Sequence, residues 1–451
     1  IMLEWVYITK RMKQAELFEQ TALFSDEEDA VDEHYCSASA WMQSNNLFAQ
    51  SAVDALELSQ VAKEDLIRES LKRLVIHEVG HTLGLNHNFK GSNLLSYEEI
   101  LNKETTYEKG LCSSVMEYPA INFSLDPENQ GLYYDTIPGP YDHWAIRFAY
   151  SEIDEEGLSA ILSESTKREH AFANDADDMR STGKGIDPDA MIYDLTSEPV
   201  LYAIDRIKLV NKILPNILDK YRKDGGSHQE LLNSYHTLTG QYYTALKIIS
   251  RQIAGVHVNR AMVGQDTDTK PFTPVSYEEQ KAAVNALAKY AFAPDAFEKA
   301  EALYPYLQQQ RRGFNTPYRG EDPKIHERVL GIQKMILGQL LNRNVLNRIV
   351  NSSLYGNEYE VSVYFNDLNH AIFETDKDME VNSFRQNLQV VFVNRLIRIA
   401  KNKRLNAMVR AQVHHQLNTI LKTMKSSKSS GASTDAHRAY LVYLLEKHFD
   451  K

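Results

Sequence analysis

The sequence predicts an α+β domain that is mostly helical over residues 1–196, followed by an all-α domain over residues 197–451. Three observations lead to this prediction. A helix carrying a histidine motif is predicted over 63–83, six long segments after residue 196 carry apolar residues at helical spacing, and Ile1–Thr9 is the one good strand candidate. The length of 451 residues allows two or three domains with sizeable cores.

The first elements lead up to the histidine motif. Glu27–Leu58 is predicted to hold one or two helices that cover the motif helix, which runs from about Lys63 to Leu83. The predicted apolar face of the motif helix follows from helical spacing. It consists of Leu66, Ile67, Leu71, Leu74 and Val75.

The most specific feature is an H-E-x-x-H-x-x-G-x-x-H motif that begins at His77. Four residues make slightly more than one helical turn, so His77 and His81 share one face, about 6 Å apart. Glu78 lies about 100° further around the helix axis. Gly84 can adopt a positive φ, end the helix and turn the chain so that His87 returns to the same point.

This arrangement predicts a catalytic zinc site. His77, His81 and His87 supply three imidazole ligands, and three protein ligands leave one coordination position open. Zinc at such a site polarises a carbonyl and brings the pKa of a bound water near neutrality. Glu78 is the expected general base, which takes the proton of that water and later passes it to the leaving amine.

A second motif follows the third histidine. Residues 113–119 read S-S-V-M-E-Y-P, which resembles the Met-turn of the metzincin clan of metallopeptidases. The resemblance implies that Met116 forms a hydrophobic floor beneath the metal. It also suggests Tyr118 as an oxyanion stabiliser, because astacin-like and serralysin-like members carry a tyrosine there that contacts the metal or the intermediate.

Three further segments make the resemblance more specific than the clan. G-P-Y-D-H-W-A-I-R-F over residues 139–148, N-F-K at 88–90 and, more loosely, C-S-A-S-A at 36–40 are similar to the bacterial Met-zincin family. The similarity covers roughly residues 1–210 by motif. It implies an α+β zincin-like (metzincin) catalytic domain followed by a helical region, a protein or peptide substrate, and an extracytoplasmic location. The physiological substrates of this family are poorly defined.

The family resemblance also bears on the N-terminal region. Zincin folds build an upper subdomain from a twisted sheet before the zinc helix, whereas the 76 residues ahead of His77 look more helical than β. The chain begins at Ile1 with neither an initiator methionine nor a signal peptide. We therefore expect that the chain is a fragment of a longer precursor and that much of the upper sheet is missing.

After the Met-turn, residues 119–140 are predicted to form an irregular loop that walls the substrate cleft. Prolines near 187–199 place the domain junction near residue 196. Helices are then predicted over Leu201–Arg222, Gln229–Ala254, Tyr277–Phe292, Lys324–Asn351, Asn382–Asn402 and Asn406–Met424. Gln265–Pro274 is predicted to be a linker, and Lys425–Thr434 a polar loop.

Other clusters of potential ligands favour structural roles. The acidic stretch Asn174–Asp178 lacks the glycine and final glutamate of an EF-hand, so a solvated loop is favoured over a calcium site. His326-Glu327 lacks the second histidine of a zinc motif, and the adjacent His414 and His415 point to different faces of a helix. We expect neither histidine pair to bind a metal.

Composition excludes several classes of function. The 61 acidic and 50 basic residues give a net charge of −11, which argues against nucleic acid as the main partner. The chain has no apolar run of 18 residues, so no membrane span is predicted. Cys36 and Cys112 can pair in an oxidising compartment or remain buried thiols in a reducing one, and the sequence leaves both readings open.

The sequence as a whole predicts a zinc-dependent endopeptidase that acts on a protein or peptide. Two alternatives remain. One is an envelope binding or assembly protein with a structural or vestigial zinc site, in which the helical domain is the working surface. The other is a zinc amidase on non-protein amides, which would use the same chemistry and differ in pocket shape. Nothing in the sequence indicates the oligomeric state.

Overall fold

A computed structural model describes residues 38–58, 60–177, 182–265, 270–309, 322–429 and 431–450. The described residues are mostly helical. The predicted strand Ile1–Thr9 lies outside them, and so does Cys36 with the pairing considered for it. Cys112 is a buried thiol.

The described residues before 196 form helices and turns, with no strand among them. The α-helices are α1 (Ala38–Ala55), α2 (Gln60–Thr82), α3 (Lys103–Lys109), α4 (Pro140–Tyr150) and α5 (Glu155–Leu162). Short 3-10 turns join them, including Gly91–Leu94 and Asp175–Asp177. The upper sheet of the predicted α+β domain therefore has no counterpart in this part of the structure.

The region after 196 contains ten α-helices, several short 3-10 or π-helical turns and one small sheet in its described part. The helices are α6 (Pro199–Ile213), α7 (Ile217–Tyr221), α8 (His228–Arg251), α9 (Tyr277–Leu287), α10 (Ile325–Leu340), α11 (Arg343–Ser352), α12 (Val361–Asn369), α13 (Ser383–Lys401), α14 (Ala407–Ser426) and α15 (Ala432–Phe449). The strands β1 (Val256–Val258) and β2 (Phe272–Pro274) pair antiparallel, with Val256 opposite Pro274.

Most predicted helices are present, with two divisions that local chemistry explains. The predicted helix 201–222 is divided by a 3-10 turn containing Pro215, which has no backbone N–H to continue the ladder. The predicted helix 324–351 is divided at Asn342, whose side chain accepts a hydrogen bond from the Asn344 N–H and caps α11. Helices α12 and α15 were not predicted.

The prediction of an entirely helical region after residue 196 is wrong at the β1–β2 hairpin. Three-residue strands are too short to give a periodic pattern, so sequence periodicity cannot find them. The hairpin is fixed by contacts with the first half of the chain. The Val256 N–H donates to the Ile186 carbonyl at 2.8 Å, and the Val258 N–H donates to Asp187 Oδ2 at 3.0 Å.

The buried face of α2 differs from the predicted apolar face. Leu66 and Leu74 are buried as predicted, but Ile67 is 36% exposed. Glu69 and Arg73 lie in the buried stripe, at 5% and 2% exposure. Both side chains hydrogen-bond to backbone groups of later segments, which makes burial of their charge tolerable.

One hydrophobic core connects the two parts of the chain. Phe48 and Leu66 from the first part belong to the same buried cluster as Leu209 of α6 and Leu246 of α8. Helix α8 packs against both α6 and α1. The domain boundary near residue 196 therefore remains a prediction.

None of the helices in the described part of the chain combines the length and the apolar character that a bilayer crossing needs.

Candidate metal centre

The three motif histidines meet at the C-terminal end of α2. His77 and His81 lie on the helix, and Gly84 follows it with a φ of +86°, in the left-handed region predicted for it. The chain then turns, and the His87 ring centroid lies 5.6 Å from that of His77 and 4.9 Å from that of His81. One ring nitrogen of each histidine lies within 4.8 Å of the others.

The Nδ1 atom of each histidine has a hydrogen-bond acceptor. His77 Nδ1 lies 2.7 Å from the Val115 carbonyl oxygen, and His81 Nδ1 lies 3.1 Å from the Leu85 carbonyl oxygen. His87 Nδ1 lies 2.6 Å from Asp175 Oδ2. Because a carbonyl oxygen can only accept, Nδ1 carries the proton in His77 and His81. The Nε2 lone pairs are then the ones available to a metal.

These donors fit zinc. Three neutral imidazoles, each with its second nitrogen bound to a carbonyl or carboxylate, form the ligand set that catalytic zinc uses. His77 is 1% exposed. Burial, followed by the positive charge of Arg73, lowers the pKa of His77 to about 2, so this ring is neutral at ordinary pH.

Glu78 follows His77 directly on α2 and is half-buried. Its position one residue after the first histidine puts it on a different side of the helix, about 100° away. It is therefore placed beside the histidine cluster without being one of its three members.

Tyr118 lies in the same cluster. Its hydroxyl is 2.9 Å from His87 Nε2. If the carboxylate of Asp175 accepts the Nδ1 proton of His87, Nε2 has no hydrogen and the Tyr118 hydroxyl is the donor. The Tyr118 side chain is 2% exposed, and its backbone carbonyl accepts a hydrogen bond from the Tyr193 N–H at 2.8 Å. The Tyr118 hydroxyl therefore lies at the third histidine of the cluster.

Met116 lies against the motif helix and is fully buried. A Cβ atom built on Gly80 would come 2.4 Å from Met116 Sδ, so the thioether occupies the space that any larger residue at position 80 would need. The Met116 carbonyl accepts a hydrogen bond from the Asn88 N–H at 3.1 Å, next to the third histidine. Met116 thus contacts the histidine helix and also supports the chain that returns His87.

Gly80→Ala is expected to destabilise the protein, whereas Gly240→Ala is expected to be neutral or stabilising. Both glycines lie in helices, where alanine is favoured by about 1 kcal/mol, but a Cβ at Gly240 meets nothing within 4 Å. At Gly80 the Cβ overlaps Met116, and overpacking of this kind costs about 1–3 kcal/mol. Urea unfolding of both variants checks this. Equal stability of the two variants would contradict the contact with Met116.

Arg73 and Asp142 hold the turn that carries Met116. Arg73 is buried beneath it and donates to the carbonyls of Val115 and Glu117, the latter at 2.8 Å. Asp142 accepts hydrogen bonds from Ser114 Oγ at 2.6 Å and from the Val115 N–H at 2.8 Å. Burial raises the pKa of Asp142, and these hydrogen bonds oppose the increase. The Val115 carbonyl is shared by Arg73 and His77, so the turn orients the first histidine.

Two buried acids lie behind the turn. Burial and the neighbouring Asp194 raise the pKa of Glu117 well above its ordinary value, and burial raises the pKa of Asp194 to about 8. Ser92 binds both, with its N–H 3.0 Å from Glu117 Oε2 and its hydroxyl 3.2 Å from Asp194 Oδ2. Ser92 therefore links the two acids behind the turn that carries Met116.

Sequence reasoning did not identify Asp175, Arg73 and Asp142 as parts of the site. Asp175 belongs to the acidic stretch interpreted as a solvated loop; it is exposed, yet it reaches a residue 88 positions away. Arg73 appears in the sequence as a polar residue of an amphipathic helix. Asp142 lies in the Y-D-H-W segment, and the similarity of that segment to the Met-zincin family was the one indication that it matters. In the loop 119–140, Ile121, Phe123 and Tyr134 belong to the core, and Pro119 and Tyr134 line a small pocket with His77. The role of this loop as a wall of the substrate cleft stays a prediction.

A second group of potential ligands is occupied by a lysine. Asp187, Asp189 and His257 lie close together, but Lys90 Nζ is 2.7 Å from Asp187 Oδ2 and His257 Nδ1 is 2.7 Å from Asp189 Oδ2. This cluster is an ion-pair network. Within the described residues, neither His326 nor the His414–His415 pair joins a group of potential ligands.

Comparison with known proteins agrees with the family prediction. A family model described as Met-zincin matches residues 59–380, more than half of the chain. The match extends beyond residue 210, where the motif resemblance ended. No curated protein and no solved structure was found to match the chain. The histidine cluster and the family match together indicate a metal-dependent peptidase, and the chain belongs to the Met-zincin family.

Proposed function

We propose that this protein is a zinc-dependent endopeptidase that hydrolyses peptide bonds of a protein or peptide substrate. His77, His81 and His87 hold Zn²⁺, and Glu78 is the general base and then the general acid. Tyr118 donates a hydrogen bond to the developing oxyanion. Met116 is the hydrophobic floor of the site. In line with the family resemblance, we propose an extracytoplasmic location.

The observation that carries this proposal is the orientation of the three imidazoles. Each Nδ1 has an acceptor, at distances of 2.6–3.1 Å, and a ring nitrogen of each lies within 4.8 Å of the others. Such acceptors fix the tautomer and raise the basicity of the opposite nitrogen. Packing alone does not require that the Nδ1 atoms of all three histidines be hydrogen-bonded, which leaves the three Nε2 atoms for a metal.

Zinc bound there would polarise the scissile carbonyl and lower the pKa of a water at the open position. Glu78 accepts the proton of the attacking water and delivers it to the leaving nitrogen, which makes that nitrogen a neutral amine. The Tyr118 hydroxyl lies 2.9 Å from His87 Nε2, and with zinc on that nitrogen it would donate to the carbonyl oxygen as negative charge develops there.

The site also bears on the alternatives. A structural zinc site is normally closed by four protein ligands, whereas this cluster has three histidines among the described residues. A zinc amidase would use the same ligands and base, so only the substrate distinguishes it from a peptidase. A peptide library therefore separates the two activities.

The test measures zinc by elemental analysis and hydrolysis of a mixed peptide library. We expect one zinc per chain and cleavage of internal peptide bonds in the parent protein. His81→Ala is expected to lose both, because two ligands rarely retain zinc at a catalytic site. His326→Ala is the matched control, since His326 is exposed and outside the cluster, and it should behave like the parent. Full zinc content in His81→Ala, or no cleavage by a zinc-loaded parent, would contradict the proposal.

A further inference from the structure

A cleft of about 530 Å³ is lined in part by Lys90, which follows the third histidine, His87, by three residues. One wall is the segment 165–172, and the other is formed by residues 258–261, which comprise the last residue of β1 and the three after it. Lys90, three residues after His87, lies between them. A cleft of this size accommodates several side chains of an extended peptide, since ligand sites commonly measure about 300–1,000 Å³.

Four basic side chains line the cleft. Its lining includes Lys90, Lys167, Arg168 and Arg260, and no acidic residue is present among the described residues that line it. The whole chain has a net charge of −11, so the sign of the charge is reversed locally. Cationic linings in low-dielectric clefts attract anionic ligands and raise their local concentration.

Arg168 is the cation best placed to bind a ligand. Carboxylates compensate the other three: Lys90 contacts Asp187 at 2.7 Å, Lys167 contacts Glu164 at 2.7 Å, and Arg260 contacts Asp177. Arg168 donates to the Asn93 carbonyl at 3.1 Å and is attracted to the nearby Asp189 carboxylate, but it makes no direct ion pair with a described residue. Its guanidinium therefore keeps donors that can bind a carboxylate in a two-point geometry.

Aromatic rings complete the lining. Tyr141 and Phe172 stack with ring centroids 5.6 Å apart, and Trp144 stacks on His170 at 4.9 Å. Met262, beside the cleft, is 75% exposed. Apolar surface combined with fixed cations suits a ligand that has both carboxylates and apolar side chains.

The cleft wall is continuous with the segment that supports the third histidine. Asn88 Nδ2 donates to the Ala171 carbonyl at 3.0 Å, and the Phe89 N–H donates to the Ala173 carbonyl at 2.7 Å. Asp175, two residues further on, contacts His87. Lys90 is three residues after His87, and a chain of that length spans at most about 11 Å. Lys90 therefore places the cleft within a few peptide residues of the metal position.

We propose that this cleft binds an acidic segment of the substrate, rich in glutamate or aspartate with interspersed apolar residues, next to the bond that is cleaved. Arg168 binds a carboxylate of that segment, and the aromatic rings pack against its apolar side chains. The cleft thereby determines substrate preference. This inference rests on the proposed peptidase activity for its role in cleavage, while the binding itself can be measured separately.

A peptide fits the cleft better than a nucleic acid does. A protein that binds nucleic acid usually contacts the phosphate backbone with many lysine and arginine side chains that have no carboxylate partner. Three of the four cations here have carboxylate partners, and the protein as a whole would repel a polyanion. A peptide with a few carboxylates needs only a local site.

Binding is tested with a Glu78→Ala protein, so that the probe is not cleaved. The probe is a short fluorescein-labelled peptide of Glu and Leu, compared by anisotropy with the same peptide carrying Gln for every Glu. We expect the Glu peptide to bind more tightly than the Gln peptide, and its affinity to fall as salt is added. Adding Arg168→Glu removes one charged contact and should lower the affinity for the Glu peptide about tenfold. Lys422→Glu makes the same charge change on an exposed residue of α14 outside the cleft, and it should have little effect.

Several results would overturn the cleft assignment. These are equal binding of the two peptides, equal losses in Arg168→Glu and Lys422→Glu, or tighter binding of a single-stranded oligonucleotide than of the Glu peptide. Arg168→Gln, which removes the charge without reversing it, replaces Arg168→Glu if the reversed variant unfolds. It should show the same direction of change.

Cleavage distinguishes failure of the cleft from failure of the peptidase. In a peptide library, the parent protein should prefer sites flanked by acidic residues. Arg168→Glu should lose that preference, whereas Lys422→Glu should keep both the preference and the parent rate. Cleavage without acidic preference would overturn the cleft inference and leave the peptidase intact. Binding of the Glu peptide that depends on Arg168, with no cleavage of any peptide, would overturn the peptidase and leave the cleft as an acidic-peptide site.

Discussion

Replacing Glu78 with alanine is expected to leave zinc content unchanged and to lower the rate of peptide hydrolysis by about a hundredfold to ten-thousandfold, the usual contribution of a positioned general base. Zinc is retained because the three histidines and their Nδ1 acceptors are untouched. The half-buried Glu78 follows His77 on α2, so its loss removes proton transfer and leaves the ligand set in place. Elemental analysis and initial rates on the best library peptide measure both quantities.

Glu64→Ala is the matched control for this experiment. Glu64 lies on the same helix, is exposed, and is far from the motif in sequence, so this variant should keep the parent rate. Hydrolysis by Glu78→Ala at the parent rate would show that the general base is another group. Loss of zinc in Glu78→Ala would instead show that the carboxylate supports the metal site itself.

The second large effect is expected from Arg73→Met. Arg73 is 2% exposed, donates to the Val115 and Glu117 carbonyls, and lies 3.7 Å from Asp135 Oδ2. Methionine fills much of the space but leaves two buried carbonyls and one buried carboxylate without their cation. Breaking a buried ion pair in this way costs about 3–5 kcal/mol. The midpoint of urea unfolding should fall accordingly.

Zinc affinity should fall in the same variant. The Val115 carbonyl, which Arg73 holds, is the acceptor for His77 Nδ1, and loss of such a supporting partner typically lowers metal affinity about 10–100-fold. Arg68→Met is the matched control, because Arg68 is exposed on the same helix and its pair with Asp65 is a surface contact. If Arg73→Met and Arg68→Met unfolded at the same urea concentration, the assigned role of Arg73 would be wrong.

The sequence was most informative where a motif fixes spacing along a single helix. The meeting of His77, His81 and His87, and the positive φ of Gly84, follow from helix geometry and from the conformational freedom of glycine. The predicted family is confirmed. The roles of Glu78 and Tyr118 stay predictions, although Tyr118 does lie at the histidine cluster.

The sequence was least informative about side chains whose hydrogen-bond partners lie far away along the chain. Arg73 was unrecognised because its partners lie 42 and 44 residues away, and a periodicity argument counts apolar residues only. Asp175 was interpreted as a solvated residue because nothing local links it to His87. The buried face of α2 was misplaced for the same reason: Glu69 is buried by the N–H groups of Tyr133 and Tyr134, which no local pattern reveals.

The β1–β2 hairpin has a consequence for the order in which the protein folds. Lys90, just after the third histidine, donates to the Val258 carbonyl, a contact that spans 168 positions of the chain. During synthesis the motif helix leaves the ribosome long before β1 exists, and long-range contacts of this kind form late because closing the chain costs entropy. The loop bearing His87 therefore acquires its full support only after α8 has been made. Tight zinc binding is accordingly expected late in synthesis, once β1 has paired with the loop that bears His87.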